Sequence, residues 1–221
     1  MELPFTIEQF LEVFRKYNHA IFPLQIIFYL VALFTVYLAV NPNRTSNKII
    51  AAILSFFWLW MGFIYHIIFF SDINKAAYFF GGAFILQGVL FFIFGVIQNK
   101  LSFKFHSDIF GFTGIVLIFY ALVVYPILGY VFDHRYPSSP TFGLPCPTTI
   151  FTFGSLLFIN KKVPVPILVI PLAWSVIGLS ASLQLGVIED LGLPVAGLLT
   201  VMLLLLGKRK FKLVGKAHQS Q

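Results

Sequence analysis

Residues 76–97, AAYFFGGAFILQGVLFFIFGVI, decide the fold, because no charge interrupts them and they match the ~20 apolar residues that a helix needs to cross a bilayer. In lipid every backbone amide and carbonyl must be satisfied within the segment, so such a run is read as a transmembrane helix. Gly81, Gly88 and Gly95 recur every seven residues along it and leave one seam without side chains. A neighbouring helix is expected to pack closely there.

Working outward, further apolar runs occupy 20–40, 48–70, 110–132, 147–160, 163–185 and 191–207. With 76–97 they make seven. The run from Pro147 to Asn160 is the shortest, and reads as a short or tilted span or as a re-entrant segment. Composition agrees with this reading: 59% of the 221 residues are hydrophobic and 10% are charged, against about 25% charged in soluble domains. The expected fold is an all-α polytopic membrane protein in three parts. These are an amphipathic surface helix over 1–19, a seven-helix transmembrane domain over 20–207 and a basic cytoplasmic tail over 208–221.

Orientation follows from the bases, which are retained on the cytoplasmic side of a membrane. With the N-terminus outside, the inner connections hold Arg44 and Lys48, Lys100 and Lys104, and Lys161 and Lys162. The inner tail adds Lys208, Arg209, Lys210, Lys212 and Lys216, and only Arg15, Lys16, Lys75 and Arg135 remain outside. The prediction is an outer N-terminus and a cytoplasmic C-terminus. The net charge of +7 then belongs to membrane-flanking anchors and not to a nucleic-acid patch. Met1 to Lys16 mixes glutamates with bases, unlike the basic start of a cleaved secretory signal, so none is expected.

Ahead of the first span, Phe5, Ile7, Phe10, Leu11, Val13, Phe14 and Tyr17 recur at near-helical spacing with charges between them. The expectation is a helix begun by Thr6 and lying on the outer membrane surface. The alternative is a lid folded over the mouth of the bundle.

Reactive groups gather on the predicted outer side, which holds Glu2, Glu8, Glu12, Asp72, Asp133, Glu189 and Asp190, whereas only Asp108 falls inside. His66 lies about one turn below the outer boundary, where an imidazole needs a partner. The connection Asp133-His134-Arg135-Tyr136-Pro137 through Pro147 is stiffened by prolines and rich in polar chemistry. Cys146 is the only cysteine, so no intrachain disulfide exists. Followed by Pro147 at a predicted helix start, its sulfur is expected to favour the thiolate.

These features nominate His66, Asp72, His134, Arg135, Tyr136, Cys146 and Asp190 as substrate-binding residues, with Cys146, His66 and His134 as metal ligands. Cysteine, histidine and carboxylate together suit zinc or copper. Glu189 and Asp190 also read as charges favouring the dipole of the last helix. The last span has no lysine for a Schiff base and no paired histidines, and phosphate-binding loops and nucleophile elbows are absent from the sequence. The leading functional expectation is binding or transport of a small solute or metal ion through an outer-facing site. The alternatives are a membrane-embedded enzyme acting on a lipid or small substrate, and a sensor or assembly subunit without chemistry.

The segments Pro4-Phe5-Thr6-Ile7-Glu8-Gln9-Phe10, Tyr65-His66, His134-Arg135-Tyr136-Pro137 and Pro145-Cys146-Pro147-Thr148-Thr149-Ile150-Phe151-Thr152-Phe153-Gly154 resemble those of an uncharacterised family of bacterial integral membrane proteins. The resemblance covers nearly the whole chain. It implies the fold and a bacterial inner-membrane location, and carries no activity with it.

Overall fold

A computed structural model describes residues 4–206. The predicted tail with Lys208, Arg209, Lys210, Lys212 and Lys216 lies outside the described residues. The described chain is helical, with only isolated β-bridges and no strand. Helix α1 (Ile7–Ile21) begins at Thr6, whose hydroxyl accepts from Gln9 N at 3.3 Å while Gln9 Oε1 accepts from Thr6 N at 2.9 Å. This reciprocal cap satisfies amides that the first turn otherwise leaves open. Then follow α2 (Leu24–Val40), α3 (Ser46–Trp60), α4 (Ala77–Phe91), α5 (Ile109–Phe119) and α6 (Tyr125–Val131). The remaining helices are α7 (Pro145–Leu156), α8 (Val165–Leu185) and α9 (Gly192–Leu206).

Three π-helical stretches extend these elements: Met61–Phe69 after α3, Phe92–Ile97 after α4 and Tyr120–Val124 between α5 and α6. The last has an identifiable cause nearby. Pro126 has no N–H to give to Leu122 and its ring crowds that carbonyl, so the wider turn relieves the clash.

Five continuous helical stretches are long and apolar enough to cross a membrane: Ser46–Asp72, Ala77–Ile97, Ile109–Val131, Val165–Leu185 and Ile188–Leu205. A sixth arises if α1 and α2, bent by 85°, count as one broken span. The segment expected as a crossing over 147–160 departs most from the sequence reading. It forms α7, a 12-residue helix buried on nearly every side, about 18 Å long at 1.5 Å per residue and so shorter than the ~30 Å hydrocarbon layer.

The glycine seam lies where the spacing places it. A side chain at Gly81 would meet Ile67 Cγ1 at 2.8 Å, and one at Gly88 would meet Leu59 Cγ at 2.7 Å. Gly95 lies against Ala51 in the same way. Ser55 Oγ uses this closeness to donate to Gly88 O at 2.8 Å across the interface. Lipid tails are as apolar as leucine, so close backbone approach, and not a hydrophobic force between helices, holds such an interface together.

The basic connections meet at one end of the bundle. Lys104 N donates to Phe158 O at 2.9 Å, Asn160 N to Ser102 O at 3.0 Å and Phe105 N to Ala39 O at 2.8 Å. Phe103 N donates to Asn47 Oδ1 at 2.8 Å. This brings together the stretches that carry Arg44 and Lys48, Lys100 and Lys104, and Lys161 and Lys162. Asp108, at the same end, caps α5 by accepting from Gly111 N at 2.9 Å.

Candidate functional site

At the opposite end α1 folds over the bundle as its roof, not outward as the expected surface anchor. Phe10, Val13, Phe14, Tyr17 and Asn18 on its apolar face are all buried. Its second half is fastened by polar bonds: Tyr17 OH donates to Gly143 O at 3.1 Å and accepts from Trp60 Nε1 at 2.8 Å. Asn18 Nδ2 donates to Pro137 O at 2.6 Å and Ser139 O at 2.8 Å, and Asn18 Oδ1 accepts from Thr141 Oγ1 at 2.7 Å. These bonds hold the proline-rich connection between α6 and α7, so that the carbonyls of Pro137, Ser139 and Gly143 are satisfied within protein.

The first half of α1 makes aromatic contacts instead. Phe10 stands 5.9 Å from Phe70, and Phe14 stands 6.3 Å from Tyr65, ring centre to ring centre. Beneath them is a cavity of about 160 Å³. An apolar cavity of ~150 Å³ holds a benzene-sized molecule. Phe5, Phe10 and Phe14 line the roof side, Tyr65, Phe70 and Phe80 come from the α3 and α4 stretches, and Trp174 and Gly178 come from α8. Cys146 and Tyr125 supply a polar end.

Behind that polar end lie two carboxylates. Helix α8 stops at Gly186, whose φ of 70° is the left-handed conformation that glycine adopts without strain. The chain then turns through Ile188–Leu191, with Asp190 N bonded to Val187 O at 3.1 Å. The turn faces Glu189 and Asp190 into the protein, where both are buried. Tyr125 OH donates to Asp190 Oδ1. The Cys146 thiol stands beside the same carboxylate as a second donor. Glu189 Oε1 meets His134 Nδ1 at 2.8 Å; the histidine side chain is 12% exposed and the glutamate fully buried, so the pair runs from surface to interior. Tyr120 OH also donates to the Glu189 backbone carbonyl at 2.8 Å.

The structure gathers only part of the predicted constellation. Cys146, Asp190 and His134 join one connected group through Glu189. Asp72 is exposed and does not line the cavity. Arg135 pairs with Asp133 at 3.0 Å on the surface, and Tyr136 is about half exposed beside it.

His66 is fully buried behind the cavity wall, with its ring 4.6 Å from Phe84 and 5.2 Å from Trp174. Neither of its nitrogens has a hydrogen-bond partner among the described residues. The imidazole therefore packs among rings and does not carry the hydrogen bond its depth led us to expect.

The metal-ligand set Cys146, His66 and His134 is likewise not assembled. Among the described residues no group of three histidine, cysteine, aspartate or glutamate side chains is placed to hold a metal ion. His134 is committed to Glu189, Cys146 to Asp190, and His66 to hydrocarbon. The thiolate expectation changes for a physical reason as well. The thiol stands beside the buried Asp190 carboxylate and has its hydrogen to donate there.

Sequence reasoning left Glu189 out of the site; with Asp190 it does open the turn before α9, but both are buried and Glu189 is bonded to His134. Sequence reasoning also missed Tyr125 and Trp174 as site residues altogether. The available signal was local: Tyr125 precedes an intramembrane proline, and Trp174 lies in an otherwise aliphatic stretch.

Comparison with known proteins places the chain in a family. The family described as "Family of unknown function (DUF6064)" matches residues 7–214, so the chain belongs to it. No curated protein and no solved structure matches the chain.

Proposed function

We propose that this member of the family is a bacterial inner-membrane protein of seven crossings that binds a small, mostly apolar organic solute at its outer face, as the first step of transport. The N-terminus lies outside and the C-terminus in the cytoplasm. Helix α2 and the five long apolar stretches make six crossings. The buried connection from Ser139 to Leu144 together with α7 makes the other. Non-helical backbone is tolerated at membrane depth where protein encloses it, and broken crossings of this kind form binding sites in transporters. The gathering of the basic connections at one end supports the orientation.

The observation that carries the functional reading is the aromatic cavity under α1, closed at its inner limit by Cys146 and Tyr125 in front of Asp190. Its lining suits an apolar body with one polar group. The test is uptake by proteoliposomes exposed to a mixture of small organic solutes and read by mass spectrometry. Uptake of a solute by the natural protein that disappears when Cys146→Phe fills the cavity supports transport. Equal contents with both proteins across the mixture would overturn it.

Asp190 beside the only thiol also favours a second reading, in which Cys146 is the nucleophile of an embedded enzyme and Asp190 its base. That reading requires product formation in detergent, without any gradient, lost in Cys146→Ala.

A further inference from the structure

The two carboxylates behind the cavity bring more negative charge than their surroundings offset. The ionisable groups facing Asp190 are Tyr125, Tyr120, Tyr65, Cys146, Glu189 and His134. Of these only His134 can carry positive charge, and it is bonded to Glu189. Helices α8 and α9, packed on the same turn, have no ionisable side chain. Arg135, next to His134 in the chain, is paired with Asp133 and two-thirds exposed. The second Glu189 oxygen, Oε2, is buried without a partner among the described residues. A buried carboxylate lacking a cation is strongly disfavoured unless it takes up a proton or meets a counter-charge.

Hydrogen direction sharpens the point. An ionised carboxylate only accepts hydrogen bonds. The Tyr125 hydroxyl donates its hydrogen to Asp190, and the neighbouring thiol has the same carboxylate to donate to. Trp174, in the same lining, directs its indole N–H at the Cys146 sulfur, so what remains for a ligand at this end is chiefly the lone pairs of the Tyr125 oxygen, which call for a donor or a cation. The rest of the lining is mostly apolar, with Asn74 and Ser180 as its other polar residues, and its rings include Phe10, Phe14, Phe70 and Trp174. Aromatic faces attract organic cations, most strongly away from water, whereas a bare metal ion finds no ligands there.

Resting on the reading of this cavity as a binding site, we propose that its ligand is a small organic ammonium cation, enclosed by the aromatic walls with Asp190 as its counter-charge behind Tyr125 and Cys146.

Because Cys146 is the only cysteine, its labelling by N-ethylmaleimide in the purified full-length protein reports occupancy of the cavity. The probes are choline and 3,3-dimethylbutan-1-ol, which have nearly the same shape and differ in charge. Choline is expected to slow labelling at concentrations at least about tenfold lower than the alcohol, the ratio that a desolvated cation–π contact supports. The Asp190→Asn variant should lose that preference and keep the response to the alcohol. If the natural protein responds to both probes equally, or to the alcohol alone, the cation proposal fails while the apolar binding site stands. If labelling proceeds unchanged with either probe, both readings fail. The comparison of probes on the natural protein decides the matter even if Asp190→Asn does not fold.

Discussion

The contact of α3 with α4 and the contact of α1 with the bundle solve opposite problems. Along the first, glycines remove side chains until Gly88 lies against Leu59 and its carbonyl accepts from Ser55. Along the second, Phe5, Phe10 and Phe14 hold the backbone of α1 off the bundle, and a cavity remains beneath them. The difference shows where rigidity is placed. Phe80, in the glycine-seamed helix, and Tyr65, in the stretch packed on it, belong to both regions, so a wall that cannot yield faces a roof whose first half is held mainly by ring contacts.

The largest break in this contrast is expected from the seam. Gly88→Val puts new carbon atoms where Leu59 Cγ already stands 2.7 Å away, and overpacking of this kind costs about 3 kcal/mol. A lower thermal midpoint in detergent and a loss of monodisperse protein are the expected readouts. Unchanged thermal behaviour would mean that the seam is not tightly packed.

A smaller effect is expected at the fastened half of the roof. Asn18→Ala removes the donor to Pro137 O and Ser139 O and the acceptor for Thr141, leaving buried groups unsatisfied at a cost of about 2 kcal/mol. Its specific signature is faster N-ethylmaleimide labelling of Cys146 as α1 loosens. A stability loss without faster labelling would separate the fastening of α1 from access to the cavity.

The smallest effect is expected at His66, although it is a fully buried ionisable group near the site. Since neither nitrogen has a partner, His66→Leu should change stability by less than about 1 kcal/mol, judged by the thermal midpoint, with labelling of Cys146 unaltered. A loss as large as that of Gly88→Val would mean that His66 makes a polar contact essential to the fold.

Much of the fold was legible because its causes are local. Charge-free runs mark the helices, glycine spacing marks the seam, and Thr6 with Gln9 marks the start of α1. The site was legible only in pieces. Cys146, His134 and Asp190 were selected for their chemistry and do share one group, but nothing in their spacing shows that Glu189 would take His134 and leave the thiol to Asp190. The same limit explains His66, whose ring neighbours Phe84 and Trp174 come from two other helices, the second of them distant in sequence. Periodicity identifies the buried face of α1 without saying whether protein or lipid covers it. Tertiary contact decides that, and here the cover is protein.

The shortness of α7 bears on how the chain is assembled. Membrane insertion proceeds largely segment by segment, each weighed by its own length and apolarity, and a 12-residue helix falls short of that standard. Its principal neighbours are α5, with the π-helical stretch that extends it, and α9; α9 and α8, which it also touches, are synthesised after it. In the proposed topology α7 and the carboxylate turn beside it therefore reach their places only once α9 has arrived, so the candidate site is complete only after that helix is in place.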